Sequence, residues 1–497
     1  MKPSTPWHEF PRLLHAEWTK FRTVRGWAAG VVAAALMVVL VALLAGVSSD
    51  QRGGPVVPVG PHGDPVADSF YFVHRPLTGD GSITVAVSAL RSSTPTSPGT
   101  LRPEAVPWAK AGLVIKDGTR QGSPYAAIMV TGGHGVRMQD DYVNDTASLP
   151  GAASPRWLRL ERSGDAVTGS ASVDGTRWTT VGTVHVDGLP TTVRGGLFVA
   201  SPPVVRGPGT DGTVSTADFG DLGTRGGWHG DDWTGEQVGP GSATFAGYPV
   251  GTSGSVAESD GRFTVTGAGD IAPAVRDSLP TGGTLKDILT GTFAALIAVI
   301  VIGALFITAE YREHLIHVTL AATPRRGRVL IAKAVVLGSV TAVAGLAGAA
   351  IALPLGERLA RANGVYLFPV TTSAQLRIVL GTAALLATAS VLALAVGAVF
   401  RRSAGAVTTV VVAMVLPYLL IANPFMPAGL SDWLARVTPA AAFAVQQTLV
   451  RYDQVSSVYS PYNGYYPLTP WAGYAVLAGY AALSLAVAVV VIRGRDA

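Results

Sequence analysis

The chain has 497 residues, of which 48% are apolar and 14% charged, with a formal net charge of +5 and a mean hydropathy of +0.37. It is long enough for two or three domains and too apolar for all of it to face water. It has no cysteine, which excludes disulfide frameworks, Cys-based metal sites and thiol nucleophiles.

Residues 1–26 carry Lys2, Arg12, Lys20, Arg22 and Arg25. Between Leu13 and Val24, the side chains of Leu13, Leu14, Trp18, Phe21 and Val24 fall on one arc of a helical wheel, and those of His15, Thr19, Arg22 and Thr23 on the other. This pattern predicts an interfacial helix lying in a headgroup layer. Glu17 intrudes on the apolar arc and needs a cationic partner; one candidate is an Arg of Thr308–Lys333, a short link between two long apolar runs whose Arg312, Arg325, Arg326, Arg328 and Lys333 mark its face as cytoplasmic. Residues 27–47 are uncharged and long enough to form a first span, read as a retained anchor rather than a cleaved signal peptide.

Residues 48–285 change character. They are rich in Gly, Pro, Asp and Thr, and apolar residues alternate, as in Ile83, Val85 and Val87, in Ala111, Leu113 and Ile115, and in Leu158 and Leu160. Asp174-Gly175 between two such runs predicts a tight type I′ hairpin. Short strands with frequent turns predict an antiparallel β-sandwich or jelly roll, inserted between the first and second spans. In the absence of disulfides, core burial alone must hold it. Trp228 and Trp233, beside His229, Asp231 and Asp232, form a possible sugar-stacking platform, although Trp in a sandwich more often packs a hairpin. Asp140, Asp141, Asn144 and Asp145 offer oxygen ligands for Ca²⁺, but read better as a solvated acidic turn, and no metal site is assigned.

Residues 286–497 return to membrane character. Further spans are predicted at about 288–309, 334–353, 378–400, 404–422 and 471–492, giving six in all, with a half-inserted helix before the last. Segments assigned to the inner side carry fourteen Lys or Arg against five Asp or Glu. That asymmetry places both termini in the cytoplasm and the β domain outside. The basicity is therefore topological, and no nucleic-acid partner is implied. Ala344, Gly348 and Ala352 give the third span a small-residue face, against a high background of Ala and Gly.

Within the apolar runs there is no Asp, Glu, Lys, Arg or His. Ion-driven transporters usually bind their coupling ion on an ionisable residue at depth, so transport energy would have to arrive from outside the membrane. The chain has no Gly-Lys dipeptide and hence no G-x-x-x-x-G-K-[ST] loop for nucleotide. It is not expected to be an enzyme itself. The E-x-D-x-x-E arrangement of jelly-roll glucanases is also missing.

The run TAEYR, followed by Ile-, Thr- and Leu-containing sequence and then TPRRGRVLIAK, resembles the loop after the second membrane helix of type-2 ABC exporter permeases, and LLHAEWTKFRTVRGW resembles the entry to their first helix. The resemblance implies a permease subunit in a bacterial plasma membrane, paired with a second permease copy as a homodimer or paralogous heterodimer and driven by a separate ATPase subunit that carries ATP and magnesium. It also implies a coupling helix in which Glu310, Tyr311 and Arg312 touch the ATPase, supported by Arg325, Arg326 and the interfacial helix with Glu17, Trp18, Lys20 and Arg22. Spacing alone fits equally well with a basic loop that merely fixes topology. PRWLRLERSGDAVTGSASVDGTRWTTVGTV and VRGGLFVAS resemble concanavalin-like or laminin-G-like jelly rolls over roughly residues 68–222. The alternative reading is a membrane-anchored carbohydrate-binding or envelope-sensing surface protein.

Overall fold

The computed structural model describes residues 9–97, 100–147, 156–239, 254–279, 282–313 and 326–494. The chain divides into a helical unit, Met1–Gly54, Thr281–Val450 and Tyr459–Ala497, and a β unit, Pro55–Pro280 with Arg451–Val458.

The helices described in the first unit are α1 (Glu9–Thr23), α2 (Arg25–Ser48), α3 (Leu285–Ile288), α4 (Gly291–Arg312), α5 (Arg326–Ala362), α6 (Thr372–Phe400), α7 (Ser403–Ile421), α8 (Ala428–Val437) and α9 (Pro470–Gly494). Six of them, α2, α4, α5, α6, α7 and α9, are long and apolar enough to cross a membrane. Their apolar windows are 61% buried in α4 and α6 but only 22% in α7 and α9, so α4 and α6 form the middle of the unit. Glycines allow this packing. A Cβ on Gly303 of α4 would lie 2.3 Å from the carbonyl oxygen of Ser390 in α6. Gly348 and Ala352 are buried and Ala344 is half-buried, and a Cβ on Gly348 would meet Ala35 of α2 at 3.1–3.4 Å. The small-residue face of α5 therefore seats α2 by close backbone approach.

α5 extends beyond the apolar run 334–353 at both ends and continues through Pro354. The 424–470 region forms α8 and then, within the stretch TPAAAFAVQQTL expected to be a short helix, a 3₁₀ helix, Pro439–Gln446, in which every residue is buried. Gln446 Nε2 donates to Thr292 Oγ1 at 3.1 Å and to Thr382 Oγ1 at 3.0 Å, so its amide hydrogens are satisfied inside the bundle.

The β unit is built around one long strand, Phe70–Ser97. Its first part pairs with Thr192–Ala200 on one side and Thr234–Val238 on the other; its second part pairs with Arg156–Ser163 and Val214–Trp228. Gly79, at φ +69°, marks the change of partners, in a backbone region that glycine enters readily. The main antiparallel path runs Thr179–His185, Ala166–Ser172, Arg156–Ser163, Phe70–Ser97, Thr192–Ala200, Lys110–Lys116, Tyr125–Thr131, Val136–Asp140 and Asn144–Ala147. A Cβ on Gly169, near one end, would meet Met138 and Ile128, near the other, at 2.9 and 3.2 Å, so the sheet curls until it is nearly closed. Leu113, Ile115, Ile128, Leu158, Leu160 and Leu197 fill its interior. Phe70, Phe72, Val114, Tyr125 and Phe198 form a second core on the opposite face of the same strands. That is why Lys110–Lys116 is buried at every residue.

The stretch from residue 223 to 285 is weakly patterned in sequence and reads there as a linker with a few added strands. It supplies the end of Val214–Trp228 and the strands Thr234–Val238, Ser255–Ser259, Arg262–Gly267 and Ile271–Pro273. The last of these pairs with Val66–Asp68, bringing the start and end of the unit together. The Asp174-Gly175 hairpin also departs from type I′. Gly175 has φ +73°, Asp174 is not in the left-handed region, and the connection spans residues 173–178. Asp174 instead accepts backbone N–H groups from Thr176 and Arg177, each at 2.9 Å.

Candidate functional site

The amphipathic α1 packs Phe21 edge-on against Phe306 of α4, with ring centroids 5.7 Å apart, and Trp27 meets the same ring at 5.9 Å. This aromatic contact brings Glu17, on the same side of α1 one turn earlier, against the end of α4 and the first turns of α5. Lys333 Nζ donates to Glu17 Oε2 at 2.6 Å and to Glu310 Oε1 at 2.7 Å. Lys20 Nζ donates to Glu17 Oε1 at 2.9 Å and to Glu310 Oε1 at 3.1 Å. Lys333 also sits 4.7 Å from the Phe306 ring centroid, a cation–π contact.

Glu17 and Lys333 are 2% and 0% exposed, and Glu310 is 9% exposed. Among the described residues these three are the buried charges of the helical unit. Two lysines and two carboxylates make the cluster neutral, the condition under which buried charge is tolerated. The arrangement joins three elements distant in sequence, so a displacement of α1 must either move α4 and α5 with it or break paired buried charges.

Glu17 thus has the cationic partner its position demands, but the partners are Lys333 and Lys20 rather than an arginine. Lys333, read from sequence only as a topology-setting charge, was missed as a site residue; the available signal was its place at the margin of a long apolar run. Glu310 turns inward to the cluster. Tyr311 is half-buried, with the Arg401 guanidinium 5.3 Å from its ring centroid. Arg312 is exposed and pairs with Glu313 at 3.2 Å. Arg326 is half-buried in the first turn of α5, whereas Arg325 and the rest of 314–325 lie outside the described residues. Trp18 and Arg22 are exposed on α1, and Lys20 is half-buried.

In the β unit, Trp228 and Trp233 lie 6.1 Å apart at a tilt of 48°. Trp228 Nε1 donates to the Ser82 carbonyl at 3.0 Å, and a Cβ on Gly195 would meet its ring at 2.6 Å, so the indole packs over the neighbouring strands Phe70–Ser97 and Thr192–Ala200. Trp233 packs edge-on against Phe263 and lies beneath Arg75. Both rings are engaged in packing. A groove of about 610 Å³ lies elsewhere, between Ser82, Thr84, Arg159, Glu161 and Arg225. The acidic turn is internally occupied: Asp140 accepts from Asn144 at 2.7 Å, Asp141 accepts the Tyr125 N–H at 3.2 Å, and Asp145 pairs with Arg137. Burial raises the carboxyl pKa of both Asp140 and Asp141. Among the described residues no group of three or more His, Asp or Glu is placed to hold a metal ion.

No protein-family model matches the chain, and no curated protein matches it. Among solved structures, it is similar over 32% of its length to 75% of a functionally unknown protein from Saccharomyces cerevisiae, at 17% identity and a TM-score of 0.18. It is similar over 24% of its length to 24% of a GH43 protein, BlXynB, from Bacillus licheniformis, at 15% identity and a TM-score of 0.18. Over 40% of its length it is similar to 98% of SCP-B, a member of the Eqolisin family of peptidases in complex with a tripeptide, at 10% identity and a TM-score of 0.26.

Proposed function

We propose that the chain is the membrane-spanning permease subunit of an ABC exporter, driven by a separate nucleotide-binding ATPase and working beside a second permease copy. The observation that carries this reading is the distribution of charge. The apolar runs of all six candidate spans contain no Asp, Glu, Lys, Arg or His, while among the described residues the buried charges of the helical unit gather at the junction of α1, α4 and α5. Such a pathway has no obvious place to bind a coupling ion, and a rigid charged joint at one end suits a mechanical push from a soluble partner. With no nucleotide-binding loop in the chain, ATP and magnesium belong to that partner.

On this reading the α1–α4–α5 junction faces the cytoplasm of a bacterium, both termini lie inside, and the β unit is an antiparallel jelly-roll ectodomain inserted after the first span. Glu310, Tyr311, Arg312 and Arg326, with Arg325, form the coupling region. An uncharged pathway suits lipid-like or amphipathic cargo.

Affinity purification of the full chain from detergent, followed by identification of co-purifying proteins, tests the proposal. A stoichiometric nucleotide-binding subunit is expected. Transport by the purified chain alone in vesicles, driven by an imposed pH or sodium gradient, overturns it.

A further inference from the structure

The β unit buries a lysine and an aspartate in direct contact with each other and with a phenol. Lys116 and Asp68 are both 0% exposed at the side chain, with Nζ 2.8 Å from Asp68 Oδ2. Nζ also meets the Ser123 carbonyl at 3.0 Å and Tyr142 Oη at 2.7 Å. Asp68 Oδ2 accepts from Tyr142 Oη at 2.6 Å and from the Gly122 N–H at 2.8 Å. Asp68 Oδ1, in contrast, is buried with no hydrogen-bond partner. A buried carboxylate oxygen left without a donor is costly, because its hydration is lost and nothing replaces it. Tyr142 is brought here by a turn in which it and Asp141 are both left-handed, at φ 72° and 43°, a conformation that non-glycine residues rarely adopt in succession.

We propose that Lys116 and Asp68 condense to an intramolecular isopeptide bond. Proton transfer across the 2.8 Å contact gives a neutral amine and a carboxylic acid protonated on Oδ2, the oxygen that Nζ touches. Nζ then attacks the carboxyl carbon, which lies no more than one C–O bond beyond that oxygen. Tyr142 Oη, in contact with both Nζ and Oδ2, takes the second proton from the nitrogen and gives its own to Oδ2 as general acid, while the Gly122 N–H holds the departing oxygen. Oδ2 leaves as water with the two protons, Oδ1 stays as the amide carbonyl, and a C–N bond replaces the C–O bond with no oxidant or co-reactant. In the product, the amide N–H keeps the Ser123 carbonyl as acceptor, as does the Tyr142 O–H, and the unpartnered Oδ1 is a neutral amide oxygen instead of half of a buried carboxylate. The bond staples Val66–Asp68, and with it the paired strand Ile271–Pro273, to the central strand Lys110–Lys116. It would give a cysteine-free domain the covalent closure that a disulfide supplies elsewhere. The second buried pair, Lys110 and Asp270 at 2.5 Å, is completed by backbone groups, with Nζ donating to the Ile271 carbonyl and Asp270 Oδ1 accepting the Ile271 N–H, each at 2.8 Å, and is assigned as an ion pair.

The test is a tryptic map of the full-length protein purified in detergent. Trypsin does not cut after an acylated lysine, so the expected product is Gly53–Arg91 joined to Ala111–Arg120 and lighter than the two peptides together by one water. Lys116→Arg preserves the positive charge and should give only unlinked peptides, while Tyr142→Phe should leave a substantial unlinked fraction. Wild-type protein cleaved after Lys116, with both segments unlinked, overturns the proposal and leaves an ordinary ion pair. A deficit of one water that persists in Lys116→Arg overturns it equally.

Discussion

Lys333 Nζ lies 2.6 Å from Glu17 Oε2, joining α1 to α5 across 316 positions of sequence. The same nitrogen holds Glu310 at the end of α4, so a single ammonium group ties together the three elements where a soluble partner is proposed to act. Lys20, 41% exposed at the side chain, completes the square from the rim.

Removing Lys333 should therefore be far more costly than removing a surface lysine. Lys333→Met leaves two buried carboxylates with only the half-exposed Lys20, and an uncompensated buried charge costs about 3–5 kcal/mol. Glu17→Gln, which leaves Lys333 paired with Glu310, should be milder. Thermal unfolding in detergent is the measurement. Unchanged melting and transport for Glu17→Gln would remove the case for its pairing, and unchanged melting for Lys333→Met would remove the case for the cluster.

Glu310 and Arg312 face different surroundings, and this separates stability from coupling. Arg312→Ala should shift stability by less than about 0.5 kcal/mol, as for other exposed positions, while lowering stimulation of the partner ATPase. Glu310→Ala should lower both. Stimulation unaltered when both are changed would sink their assignment to the coupling contact.

The α4–α6 contact depends on a missing side chain. Because a Cβ on Gly303 would lie 2.3 Å from a backbone oxygen, which cannot rotate away, Gly303→Ala must push the helices apart. A loss of about 1–3 kcal/mol is expected from such overpacking, read as a lower melting temperature. A neutral result would mean that the helices are not so closely packed.

The Asp174 turn should be pH-dependent with a defined sign. The backbone N–H groups of Arg177 and Thr176 hold its carboxyl well below the usual carboxylate range. A folded pKa below the unfolded value of about 3.9 gives stability that is full above that value and lost as pH falls toward the folded pKa. Asp174→Ala should therefore speed hydrogen exchange at the Thr176 and Arg177 amides relative to wild type at neutral pH, with the ratio shrinking below about pH 4. A ratio that does not change with pH would refute the assignment.

Legibility followed the range of the physics. The six apolar helices and the alternating strands were readable because burial is periodic within one element and leaves its trace in neighbouring residues. Glu17 was readable as a problem, since a carboxylate on an apolar arc must be compensated, but its solution was not. The Asp174-Gly175 pair marked a connection correctly and its type incorrectly, because the dipeptide does not fix how many flanking residues leave the ladder. The weak pattern after residue 222 allowed for a few added strands without placing them, since several are short or partly exposed.

By itself the sequence determined which segments are apolar, where charge is excluded, and that no thiol or nucleotide-binding loop is available. The tertiary structure alone decided that Lys333 meets Glu17 and Glu310, that Gly303 meets the Ser390 backbone, and that Asp68, Lys116 and Tyr142 are buried together. The reason is physical: hydrophobic periodicity is local, whereas pairing between buried polar groups is set by which distant surfaces pack together, and no single stretch of sequence carries that information.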